Sequence, residues 1–160
     1  MAALADGTEI AQLEQSLDRA MGEVFGTMIG VSCARSESAA PMKGQTIAAL
    51  IGLAGALTGT LVLQSESSAA MRVSDLMTGM STTEVDATVR DAMGEMANMV
   101  AGAWKGYDPK LASGCLLSTP TVVGGTRYEL FSRRATVRID RVYGIEGSFF
   151  SVAVACERAE

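Results

Sequence analysis

The 160-residue chain contains no histidine. That removes Ser-His-Asp and Cys-His nucleophilic chemistry and His-ligated metal centres. Asp, Glu, Asn, Lys, Ser and Thr remain for chemistry, or groups that a partner brings. Residues of useful type gather in one stretch. Glu84, Thr88, Asp91, Glu95, Asn98 and Gly102 recur at steps of three and four, so on a helix they form one stripe. Val85, Val89, Ala92, Met93, Met96, Val100, Ala103 and Trp104 fall on the other side as a core face. A polar stripe is ordinarily a solvated helix face. Several choices here disfavour the helix. Asp91 and Glu95 are like charges one turn apart, which costs a few tenths of a kcal/mol. Asn98 is a mediocre helix former, and Gly102 costs about 1 kcal/mol relative to Ala while leaving a notch on the same face. Such local conflicts concentrate at functional sites.

The elements that must position this stripe are legible from periodicity. Thr8 to about Met28 reads as a helix, with Ile10, Leu13, Leu17, Met21, Val24 and Phe25 at helical spacing. Val31 to Ser36 reads as a short strand. The uncharged run Thr46 to Leu63 is 18 residues long, the lower limit for a membrane span. Its glycines at 52, 55 and 59 favour buried strands instead, Gln45 to Leu53 and Ala56 to Gln64, turning near Gly55. Ser65 is a candidate N-cap for a second helix to about Met77, with Gly79 as its stop. Ser81, Thr82 and Thr83 are candidate N-caps for the third helix, with Glu84 and Asp86 in its first turn and Trp104 near its end. Strands follow at Cys115 to Val123, Ala135 to Tyr143 and Phe149 to Cys156, with turns at Gly124-Gly125 and Gly144 to Gly147. Arg133, Arg134, Arg138 and Arg141 could suggest an anion site, but the alternation of Arg and apolar residues in Ala135 to Arg141 reads better as a strand's solvent face.

Composition bounds the class. At 48% hydrophobic and 19% charged, the chain reads as a folded domain spanning residues 1–160, or two small pseudo-repeats on one core. A net charge of -5 argues against nucleic acid and suits a partner with a positive rim. The three cysteines, Cys33, Cys115 and Cys156, form no CxxC pair and read as small apolar residues in a reducing, cytoplasmic setting. The start, Met1 to Asp6, lacks the basic n-region of a signal peptide. The ten methionines read mostly as core filling, and Trp104 as a core anchor. One internal echo stands out: Ala20-Met21-Gly22-Glu23 matches Ala92-Met93-Gly94-Glu95 at an offset of 72, a chance match or the trace of two related halves.

Glu95-Met96-Ala97-Asn98 is an E-x-x-N pair. The run Met93 to Gly102 resembles the active-site helix of the CheC/CheX/FliY phosphatases of bacterial chemotaxis. Leu117-Ser118-Thr119-Pro120-Thr121-Val122-Val123-Gly124 resembles the segment that follows that helix in CheX-like domains, and the Gly-rich hairpin and second helix match the region upstream. Where Asn98 would map on the first helix (98 minus 72) stands Gly26, so the resemblance is to the single-site, CheX-like branch. It implies an α/β (α+β) fold of two pseudo-symmetric halves, long helices on an antiparallel-rich sheet, and a homodimer.

The resemblance also implies the chemistry. The substrate would be the phospho-aspartate of a CheY-like response-regulator receiver domain. Phosphoryl transfer from an acyl phosphate needs mainly a placed water and charge neutralisation. A carboxamide donates and accepts at once, so Asn98 would orient the water. Glu95 would pair with the receiver's lysine, and the receiver would hold the Mg²⁺, leaving this chain without a cofactor of its own. Asp91 could extend the docking surface, and Gly102 could admit close approach. A gain of about 100-fold in rate requires only about 2.7 kcal/mol. The alternative is a non-catalytic receiver-binding or flagellar-switch adaptor; the Asn98 amide, which docking alone does not need, favours the enzyme.

Overall fold

The computed structural model of the chain describes residues 6–37, 42–125 and 132–159. The first five residues, which bear on the signal-peptide reading, lie outside the described residues. Helix α1 (Gly7–Glu23) opens at Asp6, whose carboxylate accepts from the Thr8 amide. The expected helix to Met28 is not uniform: it widens into a π-helical stretch, Val24–Ile29, and stops at Gly30 in the left-handed region. Strand β1 (Cys33–Ser36) follows, then the hairpin β2 (Thr46–Gly55) and β3 (Leu57–Glu66). The uncharged run is therefore two paired strands, and among the described residues no helix is long and apolar enough to cross a membrane. The turn needs Gly55: its φ is +101°, and a Cβ there would stand 2.2 Å from the Gly114 carbonyl oxygen.

Helix α2 (Ser67–Thr78) starts after Glu66, not at Ser65. Ser65 is held in the sheet opposite Phe150 and is fully buried, so it is unavailable as a cap. Gly79 ends the helix at φ +71°, as expected. Helix α3 (Ala87–Gly106) is capped by Asp86, whose carboxylate accepts from the Val89 amide at 3.0 Å. Ser81 to Thr83 are not the cap. Thr82 is instead tied back to Asp75, through both its amide and its hydroxyl. A short α4 (Pro109–Gly114) precedes β4 (Cys115–Leu117) and β5 (Thr121–Gly125), and the chain finishes in β6 (Val137–Ile145) and β7 (Ser148–Arg158). Gly124 and Gly125 form no turn; they pair with Ile47 and Thr46 of β2.

All strand pairings are antiparallel, in the order β1-β6-β7-β3-β2, with β4 and β5 sharing the outer edge of β2. Exchanging β1 with β4/β5, β2 with β6 and β3 with β7 reverses this order. That is the pattern of a pseudo-twofold between β3 and β7, and it gives the sequence echo on α1 and α3 a structural setting. One parity of each strand feeds the core beneath the helices: Ile47, Ala49, Ile51 and Leu53 on β2, Leu61 and Leu63 on β3, Val152 and Val154 on β7. Trp104 is fully buried among them, and its indole N–H donates to the Leu13 carbonyl at 3.0 Å, tying α3 to α1.

Arg141 corrects the reading of the β6 arginines. Arg138 points away from the core, but Arg141 shares the parity of Ile139 and Tyr143 and its side chain is only 9% exposed. It pairs with Glu14 at 3.2 Å and Asp18 at 3.7 Å on α1. The Tyr143 hydroxyl donates to Asp18 at 2.7 Å. Burial, and then Asp18, push the Tyr143 hydroxyl above its ordinary pKa. The methionines divide: Met21, Met93 and Met96 are buried, while Met28 and Met80 are exposed.

Candidate functional site

Helix α3 carries the candidate residues, and packing decides which of its faces is free. Val89, Met93, Met96, Val100 and Trp104 are sunk in the core. A second flank, Gly94, Ala97 and Ala101, is buried as well. It faces the β4/β5 edge, since a Cβ on Gly94 would lie 3.2 and 3.3 Å from Pro120 Cγ and Cβ and 3.5 Å from Val122 Cγ2. At the far end, Lys105 Nζ donates to the Cys115 carbonyl at 2.6 Å. The helix is thus held on two sides and at its far end, and one polar strip is left facing outward.

Asp91, Glu95 and Asn98 are exposed on that strip, and Thr88 and Gly102 are half-buried on it. Glu84 is not part of it, because it lies in the lead-in before Asp86. Glu95 and Asn98 are three residues apart on regular helix, which sets their Cβ atoms ~5–6 Å apart. Neither side chain hydrogen-bonds or ion-pairs with another described residue. A carboxylate and a carboxamide one turn apart, both without partners among the described residues, can meet a cation and orient a water at the same docked surface. A Cβ on Gly102 would meet nothing within 4 Å, so the strip is open above that residue. Among the described residues, no three His, Cys, Asp or Glu side chains are grouped to hold a metal ion.

The equivalent place on α1 is built differently. Glu23 is the last α-helical residue, and the π-helical stretch begins at Val24, so Gly26 does not sit one regular turn beyond it. The Glu23 carboxylate accepts from the Tyr107 hydroxyl, and Arg19 lies over the Tyr107 ring at 4.1 Å. The echo thus lacks the amide, and its acid is engaged.

Sequence reasoning missed the wall beside the strip. Ladder register shifts by one residue between β4 (Leu53 opposite Leu117) and β5 (Leu50 opposite Thr121), so Ser118 to Pro120 form a bulge. The Ser118 amide donates to the Gly52 carbonyl at 2.9 Å, and the Gly52 amide donates to Ser118 Oγ at 2.7 Å. A signal was present: Gly94 is a mid-helix glycine on a buried flank, where Ala would be preferred unless something occupies the space.

The family model described as "Chemotaxis phosphatase CheX" matches residues 47–140, more than half of the chain. No curated protein matches the sequence. Among solved structures, the chemotaxis protein CheX from Vibrio vulnificus is similar at a TM-score of 0.79 and 20% identity, over 92% of this chain and 98% of that one. The CheX-CheY-BeF3-Mg²⁺ complex from Borrelia burgdorferi aligns at 0.69 and 14% identity, over 89% and 96%. FliY from Thermotoga maritima aligns at 0.68 and 17% identity, over 96% and 92%. At these identities the structures speak for the fold: a mixed arrangement of helices on an antiparallel sheet.

Proposed function

The chain belongs to the chemotaxis phosphatase CheX family, and from that premise we propose that it hydrolyses the phospho-aspartate of a CheY-like receiver domain, with α3 as the docking and catalytic element. The observation that carries the reading is the outward Glu95 and Asn98 pair, without a partner among the described residues, on a helix packed along its other flanks. A solved CheX of the same fold is bound to CheY with BeF3 and Mg²⁺, which supports a receiver as the partner.

In this mechanism the Glu95 carboxylate accepts from the receiver's lysine and seats α3 across the phosphorylation site. The Asn98 carboxamide accepts a hydrogen bond from a water and lends it direction. That water attacks phosphorus in line. The P–O bond to the aspartyl carboxylate breaks, the carboxylate leaves as the restored side chain, and inorganic phosphate departs. Mg²⁺ held by the receiver supplies charge neutralisation on the phosphoryl oxygens. Asn98 has no basicity to contribute near neutral pH, and an acyl phosphate needs none beyond a positioned water. Asp91 extends the negative docking strip, and Gly102 leaves room above it. The protein acts as a homodimer in the cytoplasm, a state that light scattering on the purified chain tests directly.

The deciding experiment follows the decay of a phosphorylated chemotaxis receiver with Mg²⁺, with and without the protein, beside Asn98→Ala. Faster decay that disappears in the variant, with receiver binding retained, is the expected result. Binding without any acceleration by the wild-type protein would instead establish an adaptor.

A further inference from the structure

We propose that Pro120, presented by the Ser118–Pro120 bulge, is a positioning residue that sets where Asn98 offers its carboxamide to the docked receiver; this rests on the phosphatase reading. Three observations converge. The bulge is anchored on its outer side by the paired Ser118 and Gly52 contacts, at 2.9 and 2.7 Å. Pro120 has no amide to return to the ladder, so the strand breaks there and its ring turns to α3. The ring then fills the space at Gly94, where a Cβ would be 3.2 Å from Pro120 Cγ, tighter than nine in ten real Cβ contacts.

Asn98 follows Gly94 by four residues, on the same side of the helix. Side chains on a helix lean toward its N-terminus and cover the turn before their own Cα. Asn98 therefore reaches over the turn whose seat against the sheet is the Gly94–Pro120 contact. The distance between the amide and the bulge is set by how closely those two residues approach. The pseudo-equivalent helix supplies the contrast. Gly22 stands in the same Ala-Met-Gly-Glu setting on α1, yet a Cβ there would meet nothing within 4 Å, and α1 carries no amide one turn on. The filled glycine goes with the helix that has chemistry to position.

The test compares Gly94→Ala, Pro120→Ala and Gly22→Ala in the full chain, reading thermal stability, receiver affinity, and kcat and KM on the phosphorylated receiver. Alanine at 94 favours the helix intrinsically but pushes it off the proline ring by a few tenths of an ångström. A displacement of 1 Å costs about 100-fold in rate, so a few-fold loss in kcat, about fivefold, is expected, with KM and receiver affinity within twofold. Pro120→Ala, which removes the ring, is expected to lower kcat in the same way. Gly22→Ala should raise thermal stability and leave both kinetic constants unchanged. Wild-type kcat in folded Gly94→Ala, or a kcat loss that merely follows thermal stability, overturns the proposal. If Gly94→Ala does not fold, wild-type kcat in Pro120→Ala overturns it. No acceleration by the wild-type protein would instead defeat the phosphatase reading itself, and the positioning role with it.

Discussion

Replacing Glu95 by Gln removes one charge and keeps the length and helix propensity of the side chain. In the free protein nothing is lost, because Glu95 is exposed and has no partner among the described residues. The change also relieves repulsion from Asp91 one turn earlier, worth a few tenths of a kcal/mol. Thermal stability is therefore expected to stay level or rise slightly. In the docked complex the balance reverses. A hydrogen bond from the receiver's lysine to a carboxylate, covered by the interface, contributes about 1.5–3 kcal/mol. At about 1.4 kcal/mol per decade that is about 10- to 150-fold in affinity. In the proposed docking role the pair forms on docking and persists through the chemical step, so its loss belongs in KM rather than kcat. Phosphate release measured against receiver concentration separates the two constants. Glu95→Gln should raise KM by that factor with kcat within about threefold, and Glu95→Lys, which sets two cations together, should raise it further. A KM within twofold of wild type for Glu95→Gln would refute the docking role. A clear drop in melting temperature would show that Glu95 supports the fold instead.

Arg141→Met should destabilise the protein by about 1–3 kcal/mol, read by chemical denaturation, because it leaves Glu14 and Asp18 without their common cation while their partly exposed carboxylates recover some hydration. Wild-type stability would show that the pair is only a surface contact. The thiols of Cys33 and Cys156 are pushed up to about 12, mainly by burial. The folded state thus keeps both protons where the unfolded chain loses them. Their contribution is complete below the unfolded thiol pKa of about 8.5 and is lost as pH rises from there toward about 12. Stability should therefore fall with rising pH above about 8.5, and alkylation at pH 8 should be slow until the protein unfolds; a double Cys→Ala variant with the same alkaline decline would assign it elsewhere, for instance to Tyr143.

Much of the candidate site's layout was legible without coordinates because it rests on a local rule. A helix repeats every 3.6 residues, so the order of residues from Asp91 to Gly102 is enough to place Asp91, Glu95, Asn98 and Gly102 on one strip and Met93, Met96 and Val100 opposite. The hairpin around Gly55 was legible for a similar reason, since glycine spacing marks where a backbone must turn. The caps were less so. Ser65, Ser81, Thr82 and Thr83 are all good caps by type, yet Ser65 is held in the β3 ladder and Thr82 is occupied by Asp75. Competition between long-range pairing and a local cap leaves no trace in a short window of sequence.

What the sequence by itself determined is thus the set of groups available for chemistry: no histidine, and an acid and an amide one turn apart on a helix. Only the tertiary structure decided that the second flank of that helix is closed. Gly94 lies against Pro120, 26 residues away in the chain, across a one-residue bulge that exists only once β4 and β5 have paired with β2. It also decided that Arg141 faces inward, because only the packed α1 supplies Glu14 and Asp18 to receive it. Helical periodicity is a property of neighbouring residues, whereas the space beside a glycine and the partner of a buried charge are properties of segments that meet only when the sheet closes.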